Sequence, residues 1–160
     1  LQGAIPLEFR QAIGNRIYGC DDCQLVCPVN SKAPVTEESD FHTRASLKQP
    51  QLLELFAWSE AEFLKLTEGS PIRRIGHARW LRNIAVALGN APASSSIVAA
   101  LEARKLTDEV DEMVSEHIDW ALAEQAAKQD DNQSEPTALL VSRKTQRVIR
   151  SVEKGLPRDA

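Results

Sequence analysis

Three cysteines fall within eight residues, in Tyr18-Gly19-Cys20-Asp21-Asp22-Cys23-Gln24-Leu25-Val26-Cys27-Pro28, and the chain has no others. Thiolates are soft donors suited to iron-sulfur clusters and to zinc. The spacing Cys20-x2-Cys23-x3-Cys27-Pro28 matches the last three positions of the C-x2-C-x2-C-x3-C-P run of two-cluster ferredoxins, in which the final cysteine ligates the other cluster. Ile17 stands where the first cysteine would be. Gly19 permits a tight approach of the backbone, and Pro28 turns the chain away from the last donor. If Cys27 serves one cluster while Cys20 and Cys23 share another, neither set is complete, and further ligands are expected upstream. Two other readings stand beside this one. A zinc knuckle on Cys20 and Cys23 needs four ligands, with His42 the nearest helper, and three buried, unligated thiols need none.

A second group of residues suits binding rather than redox chemistry. Arg73, Arg74, Arg79 and Arg82 form a local basic cluster in a chain whose formal net charge is -4. Arg79 and Arg82 are three apart, hence neighbours on a helix. Such residues hold phosphates, or else pair with Glu60, Glu62 or Glu68 or cap helix ends. A sharper stripe, Arg143, Arg147 and Arg150, lies opposite Val141, Thr145, Val148 and Val152, because two helical positions turn by about 200°. That stripe reads first as a solvated face. His42, His77 and His117 have no acid or nucleophile at motif spacing and receive no catalytic role. Asp21 and Asp22 read as solvated carboxylates.

The elements that must position these groups are mainly α-helical. A short amphipathic stretch from Leu7 to Ile13 stops at Gly14-Asn15 and leads into the cysteine loop. Residues 29–40 are rich in Pro, Ser and acidic residues and read as a surface connection. Ser59-Glu60-Ala61-Glu62 fits a capping box ahead of Phe63 and Leu64. Residues 79–90 place Trp80, Ile84 and Leu88 on one stripe, with Gly89-Asn90 as the stop. A helix from the Ser94-Ser95-Ser96 cap carries Ile97 and Leu101, and another from about Thr107 to Gln125 carries Val110, Val114, Ile118 and Ala121. Shifting Ile84, Ala87 and Leu88 by 34 residues places them on Ile118, Ala121 and Leu122, the period of a helix-turn-helix repeat. Stacked helical hairpins follow, because no pair buries its apolar face alone. Trp58, Trp80 and Trp120 read as core, and Asn83 as a side chain bonding a neighbouring helix end. Residues 126–136 lose their large apolar side chains and read as a linker, followed by a basic amphipathic helix in 137–160.

With 160 residues and 42% apolar content the chain can build a real core. No apolar run reaches the length of a membrane span. An unpaired, clustered cysteine count without a secretory leader points to a reducing, cytoplasmic setting. The start at Leu1, without Met, reads as the middle of a longer chain.

The strings IGNRIYGCDDCQLVCPVN, residues 13–30, and GSPIRRIGHARWLRNIAVALGNAP, residues 69–92, resemble the C-terminal part of the epoxyqueuosine reductase family, which completes queuosine in tRNA. The resemblance runs from residue 1 to about 125. It implies a mainly α fold: residues 1–40 as the end of a ferredoxin-like module with two [4Fe-4S] clusters, and 41–125 as a HEAT-like α-solenoid domain. It further implies a cobalamin-dependent reduction of epoxyqueuosine at the wobble position, with the catalytic acid and cobalamin pocket upstream. Carried over by position, Cys20 and Cys23 ligate one cluster with two upstream cysteines, and Cys27 completes the other. The basic cluster then faces tRNA, electrons come from a donor that the resemblance does not identify, and the protein is expected to be a monomer. This chain alone is expected to hold no complete cluster and to reduce nothing. The alternative is a non-catalytic α-solenoid interaction module with a structural zinc.

Overall fold

The structure, a computed structural model, describes residues 2–19, 21–34, 36–38, 47, 50–108 and 110–133. Among them every regular element is helical. The helices are α1 (Leu7–Ile13), α2 (Asp22–Leu25), α3 (Leu52–Ala57), α4 (Glu60–Leu66), α5 (His77–Asn90), α6 (Ser95–Lys105) and α7 (Glu112–Gln133), with 3-10 turns at Asn30–Lys32 and Pro71–Ile75. The mainly α reading therefore holds.

Helix α5 is the hub. It packs against α1, α3 and α4, and ten of its fourteen residues are buried, so an apolar stripe on one face understates its role. Trp80, Ile84 and Leu88 lie inside as the periodicity predicts, joined by Leu55, Phe56, Phe63, Ile97, Leu101, Val114, Ile118 and Ala121. Each fully buried large apolar side chain removed from water contributes about 1.5–3 kcal/mol. Trp80 stacks on Trp58 with ring centroids 5.7 Å apart, and its indole N–H donates to Leu55 O at 3.2 Å. That bond removes the cost of burying the polar end of the ring.

Local signals account for several helix starts. Ser59 and Glu62 make the expected reciprocal capping box at α4, and Gln51 with Glu54 repeats it at α3. Asp111 Oδ1 accepts from the Val114 amide at 2.8 Å, which starts α7 at Glu112 rather than at Thr107. Two further expectations differ. α5 does end at Asn90, but Gly89 lies within it rather than capping it, and a Cβ there would meet Trp120 Cζ3 at 2.6 Å and Ala121 Cα at 3.0 Å. Its missing side chain lets α7 approach. Residues 126–133 continue α7 instead of forming a linker. Ala126, Ala127, Lys128 and Gln129 are strong helix formers, and Lys128 Nζ reaches the carbonyls of Gly89 and Ala91. The rest of the expected linker and the expected helix at 137–160 lie outside the described residues.

Candidate functional site

The cysteine loop is built from tight local turns. Gly19 has φ 65° and Asp21 φ 52°, both left-handed, on either side of Cys20, which itself lies outside the described residues. The Asp21 carbonyl accepts from the Gln24 and Leu25 amides at 2.8 and 2.9 Å, closing the single turn of α2. Cys23 sits on that turn with an exposed thiol, and Cys27 follows it half-buried. Arg16 braces the turn by a forked contact to Asp22, 3.2 Å to each oxygen. Beside the thiols, Leu25, Val26 and Val29 are 79%, 78% and 74% exposed. Cys23 and Cys27 are therefore not the buried thiols of the third reading. Among the described residues no three His, Cys, Asp or Glu side chains gather to hold a metal, and His42 lies outside them. Two soft donors on a solvent-facing loop fit part of a donor set, not a whole one.

The segment that leads into the loop is tied to the helical core by polar side chains. His117 Nε2 accepts the Ile5 amide at 3.0 Å, while its Nδ1 pairs with Met113 O at 2.7 Å. A ring that accepts at Nε2 is neutral with its proton on Nδ1. Burial first, and then the Arg10 charge, push the His117 pKa below its ordinary value, against the opposing pull of the Met113 carbonyl. Arg10, 2% exposed, donates to Ile5 O at 2.8 Å, pairs with Glu116 and lies over the Trp120 ring. The Arg10 hydrogen bond holds the Glu116 carboxyl below the usual range. Asn90 Nδ2 donates to Arg10 O and Gly14 O at 2.7 and 2.9 Å, satisfying carbonyls that α1 leaves open at its end. Asn83 Nδ2 donates to Ile17 O at 2.8 Å. The expectation that Asn83 bonds backbone near a helix end was close: the acceptor is in the lead to the cysteines.

The basic residues divide. Arg73 and Arg74 are exposed on the Pro71–Ile75 turn and carry no side-chain hydrogen bond or ion pair among the described residues. Arg79 caps that turn by donating to Ile75 O and Arg74 O. Arg82 departs from the expected phosphate contact. It is 5% exposed, donates to Gly3 O and to Asn83 Oδ1, and burial lowers its pKa. The Gly3 carbonyl and the Asn83 amide oxygen hold it inward by meeting its donors. Glu62, a possible arginine partner, is instead held by Ser59, whose backbone and hydroxyl lower its pKa. Arg143, Arg147 and Arg150 lie outside the described residues.

Sequence reasoning missed Gln125. It is fully buried in α7, where its amide donates to Leu88 O and Ala91 O and accepts the Ser94 amide, joining the end of α5 to the start of α6. Nothing local in the sequence marks it, since its partners are more than thirty residues away.

No family model matches the chain. Among curated proteins it is 69% identical over 160 residues to the epoxyqueuosine reductase of Shewanella oneidensis, covering 100% of this chain and 39% of that one. It is 57% identical over 163 residues to that of Salmonella typhimurium and 56% over 163 residues to that of Escherichia coli, covering 100% of this chain and 40% of each relative. The similarity thus continues past residue 125. The chain spans about two fifths of the length of the curated relatives it matches. Among solved structures, an epoxyqueuosine reductase with an epoxyqueuosine-modified tRNA-Tyr stem loop superposes with TM-score 0.70 at 24% identity, over 96% of this chain and 41% of that one. A structure of the Bacillus subtilis epoxyqueuosine reductase gives 0.69 at 24% identity, with the same coverage. With relatives this similar along its whole length, the chain belongs to the epoxyqueuosine reductase family.

Proposed function

We propose that this chain is the part of an epoxyqueuosine reductase that supplies three iron-sulfur ligands and a tRNA-facing helical domain, α5 to α7 being its HEAT-like hairpins. The observation that carries the reading is the cysteine spacing at 20–27, with the Cys23 thiol exposed and Cys27 half-buried, in a chain 69% identical to a named reductase. Cys20 and Cys23 would ligate one [4Fe-4S] cluster and Cys27 the other, with partners elsewhere in the full-length protein, which would also hold the cobalamin. When bound, the clusters supply single electrons. This chain's own residues hold the thiolates in place, and Asp21 fixes the turn that presents Cys23. The apolar surface of Leu25, Val26 and Val29 would be covered by the rest of the cluster-binding module, since apolar patches beside functional groups mark contact surfaces.

Arg73 and Arg74 are the residues proposed to meet tRNA phosphate. Two exposed guanidinium groups on a rigid turn, with no internal partner among the described residues, suit a polyanion. Arg79 contributes by holding the turn in shape, and Arg143, Arg147 and Arg150 are secondary candidates. The test is a protein of full family length, prepared without oxygen and given tRNA that carries epoxyqueuosine. Formation of queuosine supports the reading, and its absence in an iron-loaded preparation ends it. Arg73→Glu with Arg74→Glu should weaken tRNA binding and flatten its salt dependence, each lost phosphate contact reducing the slope by about 1.

A further inference from the structure

An open pocket of about 280 Å³ adjoins the lead to the cysteine loop, lined by Ile5, Ile13, Ile17, Tyr18, Arg82 and Asn83 among others. Residues 16, 18 and 19 are exposed and Ile17 alone of the four packs against the core, so the segment's placement depends also on directional contacts. Asn83 provides one. Its Oδ1 accepts from Arg82 Nε at 3.0 Å and Nη2 at 2.9 Å, and its Nδ2 donates to Ile17 O at 2.8 Å. Arginine can only donate, so the amide has one permitted orientation, with its N–H groups toward the loop. Arg82 is in turn tied to the Gly3 carbonyl. The chain thus runs from the interior of α5 through Arg82 and Asn83 to the backbone three residues before Cys20.

We propose that Asn83 is a positioning residue for the cluster-ligand loop, a strut that fixes where the backbone leaves α1 and hence where the thiolates are presented. The inference rests on the reading that these cysteines ligate clusters. It separates two jobs on one helix: the apolar face of α5 makes the core, while Asn83 transmits the position of that core to the ligands. Nothing about Asn83 requires contact with iron or substrate.

Asn83→Asp is the informative change, because it keeps size and the acceptor toward Arg82 but replaces the donor toward Ile17 O with a repelling oxygen. In this chain, exchange of the Gly14 and Arg16 amides, which donate to Gln11 O and Ile13 O just ahead of Ile17, should rise about tenfold, the effect of losing a partly buried hydrogen bond. Exchange in α3 to α6 should stay within twofold. In the anaerobic full-length enzyme, chelators should strip iron from the variant several-fold faster, and the electron paramagnetic resonance line shape of its reduced clusters should change. Unchanged exchange at Gly14 and Arg16 overturns the strut. Faster exchange with wild-type iron release and line shape overturns its role in presenting ligands. A wild-type full-length protein without iron or sulfide is a different failure: it removes the cluster reading, and the metal half of this proposal with it.

Discussion

Gly89→Ala sets helix propensity directly against packing. In an open helix this change stabilises by about 1 kcal/mol, because alanine loses less backbone freedom than glycine. At position 89 the new Cβ would lie 2.6 Å from Trp120 Cζ3 and 3.0 Å from Ala121 Cα. Carbon atoms pack at about 3.5–4.0 Å, so α5 and α7 must separate by several tenths of an ångström to 1 Å. Rotating Trp120 does not solve this, since the ring is held beneath Arg10 at 5.7 Å and the second contact is backbone. Overpacking of this kind costs about 1–3 kcal/mol, and displacement of α7 also strains the Gln125 bonds to Leu88 O and Ala91 O. The balance is a net loss of about 1–2 kcal/mol. Urea unfolding of the 160-residue chain should show a lower midpoint, and thermal unfolding a drop of about 2–4 °C for each kcal/mol. In a Trp120→Ala background the penalty should shrink without vanishing, because the Ala121 contact remains. A higher urea midpoint for Gly89→Ala would refute the close approach of α5 and α7 at this point.

Other outcomes follow from the polar contacts. His117 is neutral in the fold with a lowered pKa, so the unfolded chain takes up more protons as pH falls through about 6.5; stability should be full above that value and decline below it, and His117→Gln should flatten the decline in urea titrations between pH 8 and 5. Gln125→Ala leaves the Ser94 amide without its partner, while Leu88 O keeps the Ala91 amide and Ala91 O keeps Lys128, and should cost about 1–3 kcal/mol, read from urea midpoints. Ser59→Ala removes the α4 cap and should cost about 1 kcal/mol, a change small enough to leave the near-ultraviolet dichroism of the Trp58–Trp80 stack unaltered.

The parts legible in sequence were those with a local rule. Trp80, Ile84 and Leu88 repeat at helical spacing and are core; Ser59 and Glu62 obey a four-residue capping rule and cap. What was not legible is polar and long-range. His117 meets Ile5 across 112 positions, Asn90 meets Arg10 across 80 and Asn83 meets Ile17 across 66. Each satisfies a backbone group whose need arises only once α1 docks on the helices, and no periodicity encodes that. Arg82 illustrates the same point in reverse. Its charge and its neighbour Arg79 suggested an outer surface, but on a helix buried around most of its circumference a single arginine can be enclosed when carbonyl and amide oxygens meet its donors. Gly89 looked like punctuation because a glycine near a helix end commonly is; only the partner helix shows that it is a packing site.

Division of the three thiols between two clusters is tested most directly by the ligand variants. Iron, acid-labile sulfide and zinc should be measured in anaerobically purified protein of full family length, alongside its Cys23→Ala, Cys27→Ala and doubly substituted forms. The wild type should carry iron and sulfide in equal amounts. Each single variant should lose about half of both, with different resonance signals surviving, and the double variant should lose nearly all. Zinc in place of iron, or iron unchanged in both single variants, would contradict it.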